Sequence, residues 1–283
     1  MLTADPTEPL PDLADLLRFY AEAGVDEPLL EEAVDRFAEQ AAARSAAVAA
    51  FTKPASNATP TAAAARTTSA PVLPDEEQVA RARELAASAQ SLEELRNLLA
   101  SFDGCNLKLT AKSLVFADGN PQPDIMLVGE APGRDEDIEG LPFAGKSGRL
   151  LDAMLAAIGA SRTTNAYIAN VVPWRPPGNR NPTPLETEIC RPFIERQIEL
   201  ARPKILIALG GPSAKVLLNA NEGILRLRGN WKVHKTASGI DIPAMPTLHP
   251  AYLLRNPAHK KLAWRDLLDV ANKLDELKAG ANE

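Results

Sequence analysis

Four short apolar segments, each followed by a stretch of helical periodicity, constrain the fold of this 283-residue chain more than any other feature. The apolar segments are residues 125–128, 166–172, 205–209 and 244–248. Their unbroken apolar character is typical of strands that are buried on both faces of a sheet. The helical stretches are residues 148–158, 184–201, 213–218 and 262–277. This alternation predicts an α/β fold with three layers, α/β/α, around a central and mostly parallel sheet.

The first part of the chain has a different composition and predicts a separate organisation. Residues 1–51 carry apolar side chains at helical spacing, from Leu13 and Leu16 onward, and predict a helical N-terminal extension. Residues 52–74 are rich in Ala, Thr, Pro and Ser, a composition that cannot bury a core and predicts a flexible linker. Residues 75–283, which open with an amphipathic helix over 75–101, form the predicted main domain.

The net charge of −6 hides an uneven distribution along the chain. Residues 1–100 hold 8 basic and 17 acidic side chains, whereas residues 101–283 hold 23 basic and 20 acidic ones. The main part of the chain is therefore slightly basic, and its charge is compatible with a nucleic-acid partner.

The sequence also indicates where the protein works. No apolar run approaches the roughly 20 residues that cross a bilayer, and the first residues lack the basic and apolar regions of a signal peptide. We therefore expect a soluble, cytoplasmic protein, associated with the nucleoid and without a membrane contact. The two cysteines, Cys105 and Cys190, are too few for a disulfide framework and are expected to be reduced.

Two polar segments follow predicted strands: GEAPG at residues 129–133 and HPAYLLR at residues 249–255. Because the carboxyl ends of parallel strands meet along one edge of a sheet, these segments are expected to build a common site. The first offers exposed backbone amides and the carboxylate of Glu130. The second offers the imidazole of His249, an apolar tip and a cation. Taken alone, either segment is also compatible with an ordinary strand-to-helix loop that has no functional role.

Residues 140–147 match the phosphate-loop pattern G-x-x-x-x-G-K-[ST], which would indicate a nucleotide hydrolase that depends on Lys146. A phosphate loop leaves its strand directly, whereas here about a dozen residues follow the predicted strand end at Val128. Acidic side chains at residues 135–137 and 139 would repel phosphates, and Pro142 lacks an amide that the loop would need. We interpret the match as accidental.

An ordered set of motifs across residues 101–275 resembles the family-4 uracil-DNA glycosylases. The matching segments are residues 127–133, 136–137, 140–145, 148–152, 170–172, 175–180, 203–210 and 249–255. The resemblance implies the fold of that family and hydrolysis of the N-glycosidic bond between uracil and deoxyribose, which begins base-excision repair. It implies a monofunctional enzyme that acts on DNA containing uracil, without a metal ion at the reacting centre. We expect a monomer.

The resemblance further implies a pocket that holds a uracil flipped out of the DNA. Phe143 corresponds to the family's stacking aromatic. Asn170 corresponds to the side chain that reads uracil, since its amide donates to O4 and accepts from N3–H. His249 is expected to donate a hydrogen bond to uracil O2 and to stabilise the departing anion. The remaining predicted pocket residues are Gly129, Glu130 and Ala131.

Glu130 is also a predicted catalytic residue, together with His249 and Asn179. Three roles stay open for Glu130: orienting water, stabilising the sugar cation, or fixing the loop. Ala131 stands where better-known uracil glycosylases carry a water-activating Asp. Asn179 and Glu136 are further candidates for positioning water or supporting the pocket.

The second motif is expected to contact DNA beyond the flipped base. Tyr252, Leu253 and Leu254 provide an apolar wedge for the gap left by the displaced nucleotide, and Arg255 provides a phosphate contact. The alternative is the first turn of a helix that packs its leucines inward. Further expected phosphate contacts are Lys146 and Arg180.

Family-4 enzymes hold an iron–sulfur cluster with four cysteines, and this chain departs from that pattern. Cys105 and Cys190 match two of the ligand positions, whereas Phe102 and Trp174 stand at the other two. Neither aromatic side chain can bind iron. We therefore expect no cofactor, with Cys105 and Cys190 as the ligands if any iron is retained.

One alternative function remains open from the sequence. Loss of the cluster and the presence of Ala131 both permit a catalytically silent, DNA-binding or damage-sensing relative of the same fold. Under either function, a tethered helical segment over residues 1–51 suggests that this segment binds a protein partner.

Overall fold

The structure is a computed structural model that describes residues 75–280, and the extension and linker predicted for residues 1–51 and 52–74 lie outside the described residues. The strands are β1 (Ala117–Gly119), β2 (Ile125–Gly129), β3 (Ala166–Asn170), β4 (Ile205–Leu209), β5 (Lys232–Lys235) and β6 (Asp241–Thr247). The helices are α1 (Asp75–Ser88), α2 (Leu92–Ser101), α3 (Leu107–Thr110), α4 (Arg134–Glu139), α5 (Lys146–Ala156), α6 (Pro184–Ala201), α7 (Gly211–Leu218), α8 (Ile224–Leu227), α9 (Pro250–Arg255) and α10 (Lys260–Gly280). Among the described residues, no helix combines the length and apolarity needed to cross a membrane.

The six strands form one sheet in the order β1-β3-β2-β4-β6-β5. The four central strands run parallel, and β1 and β5 pair antiparallel at the two edges. The central strands are the four that the apolar segments predict. The prediction of a mostly parallel sheet is therefore confirmed.

Alternate residues of the central strands face opposite layers of helices. Met126 and Val128 of β2 pack in a core cluster with residues of α6 and α7. Ile125 and Leu127 pack in a second cluster with residues of α5 and α10. The predicted three-layer α/β/α arrangement is confirmed, because side chains at successive strand positions point to opposite faces of the sheet.

The two edge strands escape prediction because each is short and not continuously apolar. Strand β1 has three residues that are all partly buried, and β5 has exposed residues at every position except His234. Lys232 and Lys235 are exposed on β5. Lysines on an edge strand are typical of proteins that avoid pairing with a further strand.

The carboxyl ends of the parallel strands lie along one edge of the sheet. Strand β2 ends at Gly129, β3 at Asn170, β4 at Leu209 and β6 at Thr247. From β2 the chain passes to β3 on one side, and then crosses to β4 on the other side of β2. Open α/β sheets bind ligands at such a reversal of strand order.

A buried carboxylate ties α10 to the end of β6. Asp266 is only 1% exposed and accepts hydrogen bonds from the Thr247 hydroxyl at 2.6 Å and from the Arg228 Nε at 2.9 Å. Arg228 also donates to the Leu262 carbonyl at 2.9 Å. These bonds hold the strand end two residues before His249.

Candidate active site

A cavity of about 180 Å³ lies at the carboxyl edge of the sheet. It is lined by Ala131, Gly133, Glu136, Phe143, Ser147, Asn170, His249 and Ala251. The volume suits one small ring, because pockets for drug-sized ligands are larger, at roughly 300–1,000 Å³. Residues from four separate segments therefore meet around a space for a single planar group.

Gly129 permits the close packing beneath this cavity. It is the last residue of β2 and pairs in register with Asn170 of β3. A Cβ atom at residue 129 would lie 2.3 Å from the Asn170 Oδ1 and 2.9 Å from the Phe143 ring. Any larger residue would displace one of these side chains. The predicted pocket role of Gly129 is thus one of leaving space for its neighbours.

Phe143 is held in an unusual backbone conformation. Its φ of 53° lies in the left-handed region, which non-glycine residues rarely adopt and which is often found at functional sites. Gly148 allows this conformation, because a Cβ atom there would lie 1.7 Å from the Phe143 carbonyl oxygen. The ring itself is 5% exposed and faces the cavity.

Arg162 fixes the loop that carries Phe143, a role that sequence reasoning misses. Its Nη1 donates to the Pro142 carbonyl and its Nη2 to the Phe143 carbonyl, both at 2.8 Å. The same guanidinium is paired with Asp118 at 2.9 Å and with Asp152 at 2.7 Å. Five donors in a rigid planar fork suit this multiple attachment. Arg162 lies 19 residues beyond Phe143, and no local sequence signal connects the two.

Asn170 presents an amide with free hydrogen-bonding capacity to the cavity. The residue is 5% exposed, and its side chain has no hydrogen-bond partner within residues 75–280. Buried amides are normally paired, so an amide left open at a cavity wall is suited to a ligand. It offers one acceptor and two donor hydrogens.

His249 has a defined tautomer. Its Nδ1 accepts a hydrogen bond from the Ala251 backbone N–H at 3.1 Å, so the neutral ring carries its proton on Nε2. Burial, with a smaller contribution from the charge of Arg255, lowers the pKa of His249 to about 4. The ring is stacked against Phe143, with 5.3 Å between the ring centroids and 28° between the planes. At neutral pH, His249 is therefore an uncharged donor.

The cavity wall opposite the strands is built by residues that sequence reasoning only partly identifies. Glu136, a weaker candidate from the sequence, lines the cavity, and its Oε2 accepts from the Gly133 N–H at 3.0 Å. Ser147 lies in the first turn of α5, inside the match to the phosphate-loop pattern. Helix α4 separates that match from β2, so the segment does not leave a strand, and its interpretation as accidental agrees with the structure.

The structure places Glu130 outside the residues that line the cavity, although the sequence predicts it among the uracil contacts. Its side chain lines a separate groove on the α6 and α7 side of the sheet. Glu130 follows the last residue of β2, so the period-two alternation of the strand does not fix its direction. Burial raises the pKa of the Glu130 carboxyl. Its catalytic role stays a prediction.

Asn179 and Arg180 are exposed and lie outside the residues that line the cavity. The Asn179 Oδ1 accepts from the Arg175 Nε at 2.7 Å. Arg180 forms two hydrogen bonds to Glu186, at 2.8 and 2.7 Å. Both side chains are thus engaged in holding the loop before α6, and direct contact of Asn179 with the cavity is not observed.

The leucines of the second motif divide between the core and the surface. Leu253 is 1% exposed and packs with Leu248 and Ala263, so its predicted place in a wedge is wrong. The turn of α9 that follows His249 directs it inward. Leu254 is 42% exposed and is the leucine available for contact. Tyr252 is partly buried and its hydroxyl bonds to a neighbouring imidazole, that of His259, at 2.7 Å.

Cations remain exposed around this edge. Arg255 ends α9 and Lys146 begins α5, and both are exposed without an ion pair inside the described range. Their positions next to cavity-lining residues, Ala251 and Ser147, place positive charge near the entrance. Phosphate groups are the ligands that such exposed cations contact in DNA-binding proteins.

The four positions of the family cluster lie in one apolar core. Phe102, Cys105, Trp174 and Cys190 are each at most 2% exposed and belong to the same cluster of buried residues. The two Sγ atoms are 3.9 Å apart, and the contact with Cys105, together with burial, raises the pKa of Cys190 well above its ordinary value. Among the described residues, no group of three His, Cys, Asp or Glu side chains is arranged to hold a metal ion. Two aromatic side chains and two cysteines do not supply the four thiolates that such a cluster requires.

Comparison with known proteins identifies the family. The sequence profile of the Uracil DNA glycosylase superfamily matches residues 116–268. The chain belongs to this superfamily. It is 39% identical over 173 residues to the type-4 uracil-DNA glycosylase of Archaeoglobus fulgidus, a match that spans 59% of this chain and 85% of the relative.

Other type-4 uracil-DNA glycosylases give matches of the same quality. The Sulfurisphaera tokodaii protein is 38% identical over 184 residues, covering 64% of this chain and 83% of the relative. The Saccharolobus solfataricus protein is 38% identical over 177 residues, covering 60% of this chain and 80% of the relative. The resemblance inferred from the motifs is confirmed.

The lowered pKa of His249 predicts a specific dependence of stability on pH. The folded protein takes up a proton at this ring at a pH of about 4, whereas the ordinary value is 6.5. Between these values, protonation favours the unfolded chain. The contribution of neutral His249 to the free energy of unfolding is fully present above pH 6.5 and declines as the pH falls toward 4.

A His249→Gln variant separates this effect from the titration of other groups. We expect the difference in unfolding free energy between wild type and variant, measured in urea, to fall from pH 7 to pH 5. A difference that stays constant over this range would contradict the lowered pKa of this partly buried ring.

Proposed function

We propose that this chain is a uracil-DNA glycosylase that hydrolyses the N-glycosidic bond of uracil flipped out of DNA. The reaction leaves an abasic site and begins base-excision repair, and the enzyme is monofunctional. The single observation that carries the proposal is the cavity that Asn170, Phe143 and His249 line together, with the proton of neutral His249 on Nε2. We assign the catalytic domain to residues 75–283.

Recognition of the base follows from the two side chains next to Gly129. A uracil ring stacked on Phe143 would place its edge against the open amide of Asn170. That amide donates to O4 and accepts from N3–H, whereas cytosine presents the reverse pattern. The cavity of about 180 Å³ holds one ring and little more, so a purine is not expected to enter.

His249 stabilises the leaving group. When the bond between uracil N1 and the sugar C1′ breaks, its electron pair leaves with uracil and negative charge develops on O2. The Nε2–H of His249 donates to that oxygen, and water adds to C1′ with loss of a proton. A neutral donor in a partly water-excluded site is effective, because it is preorganised for charge that appears only in the transition state.

We place Glu130 on the sugar side of the reaction. Its groove adjoins the cavity, since the next residue, Ala131, lines the cavity itself. A carboxylate there stabilises positive character on the sugar without contacting the base. Asn179 acts indirectly, by holding Arg175 in the loop before α6.

The exposed surface around the cavity binds the DNA. Leu254 is the leucine that can enter the gap left by the flipped nucleotide, and Arg255 and Lys146 contact phosphates. We propose that the enzyme acts as a monomer on DNA of the cytoplasmic nucleoid. The segment 1–51 is proposed to bind a protein partner.

We further propose that this enzyme has lost the iron–sulfur cluster of its family. Phe102 and Trp174 fill the core at two ligand positions, and Phe102 packs on Phe193 with 5.2 Å between the ring centroids. Packing of apolar rings replaces the cross-link that a cluster would supply.

Iron analysis tests this loss. We expect protein purified without oxygen to contain no stoichiometric iron and to lack the visible absorption of an iron–sulfur cluster. The double variant Phe102→Cys with Trp174→Cys restores four thiols and serves as the positive control for cluster assembly. Stoichiometric iron and cluster absorption in the wild type would contradict the proposal.

Excision of uracil from a synthetic oligonucleotide tests the activity itself. Under single-turnover conditions followed by alkali, we expect strand breaks at uracil and none at cytosine or thymine. His249→Gln is expected to lower the rate about 10²–10³-fold, as when other charge-stabilising donors are removed, with DNA affinity unchanged. His234→Gln, a matched change at the buried histidine of β5, is expected to keep the wild-type rate.

The alternative function, that of a catalytically silent relative, predicts a different result in the excision assay. A catalytically silent relative would bind the uracil-containing strand without breaks even at enzyme excess. A wild-type rate in His249→Gln would leave excision intact but would refute the role assigned to this imidazole.

A further inference from the structure

A second and larger cavity lies on the other face of the sheet end. This groove has a volume of about 570 Å³ and runs between α6 and α7. Its floor includes the apolar side chains of Val171, Val172 and Val216. Glu130 lines it at the strand end, and Lys215 lines it on α7. The mechanism of uracil release leaves most of this groove unused.

The groove and the uracil cavity are immediate neighbours. Ala131 lines the cavity, and the preceding residue, Glu130, lines the groove. Asn170 lines the cavity, and the following residue, Val171, lines the groove. Since consecutive Cα atoms are about 3.8 Å apart, the linings of the cavity and the groove meet at these two places, close enough for adjacent nucleotides of one strand to occupy both.

The size and lining of the groove match a nucleotide. An apolar floor suits the face of a base, and the exposed amides of Asn181 and Asn221 at the rim can bond to its edge. The volume lies in the range of pockets that bind small organic molecules, roughly 300–1,000 Å³.

One cation of the groove is available for a phosphate. Arg191 is engaged by Glu195 at 2.7 Å and by Glu188 at 3.7 Å. Lys215 is exposed and forms no ion pair with any residue between 75 and 280. Its charge is therefore the one in this groove that is not already neutralised by a described acidic side chain.

We propose that this groove is a second nucleotide subsite, which binds the nucleotide next to the flipped uracil in the same strand. The base lies on the valine floor and its phosphate contacts Lys215. The proposal rests on the proposed function. Because the neighbouring base must also leave its stack, which costs a few kcal/mol in a duplex, the subsite favours uracil in unpaired DNA.

Spacer oligonucleotides test the subsite directly. Single strands containing one uracil are compared with strands in which the base on the 5′ or the 3′ side of uracil is replaced by an abasic spacer. In the wild type, we expect one of the two spacers to raise the half-saturating concentration about tenfold, the size of one base-stacking contact. Val216→Trp fills the groove and is expected to bind the intact strand as weakly as the wild type binds the spacer strand.

Lys215→Gln supplies a second readout at an exposed residue, where a folding defect is not expected. Loss of one phosphate contact lowers the slope of log affinity against log salt by about 0.7 for single strands. Lys235→Gln, a matched change on β5 at the far edge of the sheet, is expected to keep the wild-type slope. If Val216→Trp does not fold, the comparison of the salt slopes of Lys215→Gln and Lys235→Gln tests the subsite by itself.

The outcomes separate this proposal from the function on which it rests. Uracil excision that is insensitive to both spacers, or a Lys215→Gln slope equal to that of wild type, would refute the subsite while leaving the activity intact. Absence of excision from every strand would refute the proposed function itself.

Discussion

The whole site depends on the close packing of Phe143 and Asn170 over Gly129. No side chain at residue 129 can be accommodated, because even a Cβ atom would lie 2.3 Å from the Asn170 amide. This packing sets the distance between the Phe143 ring, which is proposed to stack on the base, and the Asn170 amide, which is proposed to hydrogen-bond to the edge of the base. Gly148 and the carbonyl bonds of Arg162 then keep Phe143 in its left-handed conformation. The proposed base-recognition geometry therefore depends on backbone clearance at Gly129.

The two faces of the sheet divide the chemistry. The α5 and α10 side carries the proposed base cavity and the imidazole of His249, while the α6 and α7 side carries Glu130 and the groove proposed to bind a second nucleotide. Burial acts on both ionisable groups in the same sense: it lowers the pKa of His249 and raises that of Glu130, because burial disfavours the charged form of each. An uncharged donor beside the base suits a reaction in which charge appears only as the bond breaks.

Sequence reasoning recovers the parts that strand periodicity and motif order encode. Continuous apolar runs predict the four central strands, and the motifs bring Phe143, Asn170 and His249 together. It fails where side-chain direction or distant contacts decide. Glu130 lines a groove apart from the cavity, the helical turn buries Leu253 and exposes Leu254, and Arg162 supports Phe143 from a segment without any recognisable motif. The edge strands are too short and too exposed to give a signal.

A Gly129→Ala variant tests the central claim most directly. We expect it to lose uracil excision by at least about 10²-fold, the loss typical of small misplacements in an active site, while it keeps its fold and its affinity for DNA. Gly223→Ala is the matched control, because a Cβ atom at residue 223 meets nothing within 4 Å, and it is expected to keep full activity. Wild-type excision by a folded Gly129→Ala variant would contradict the account.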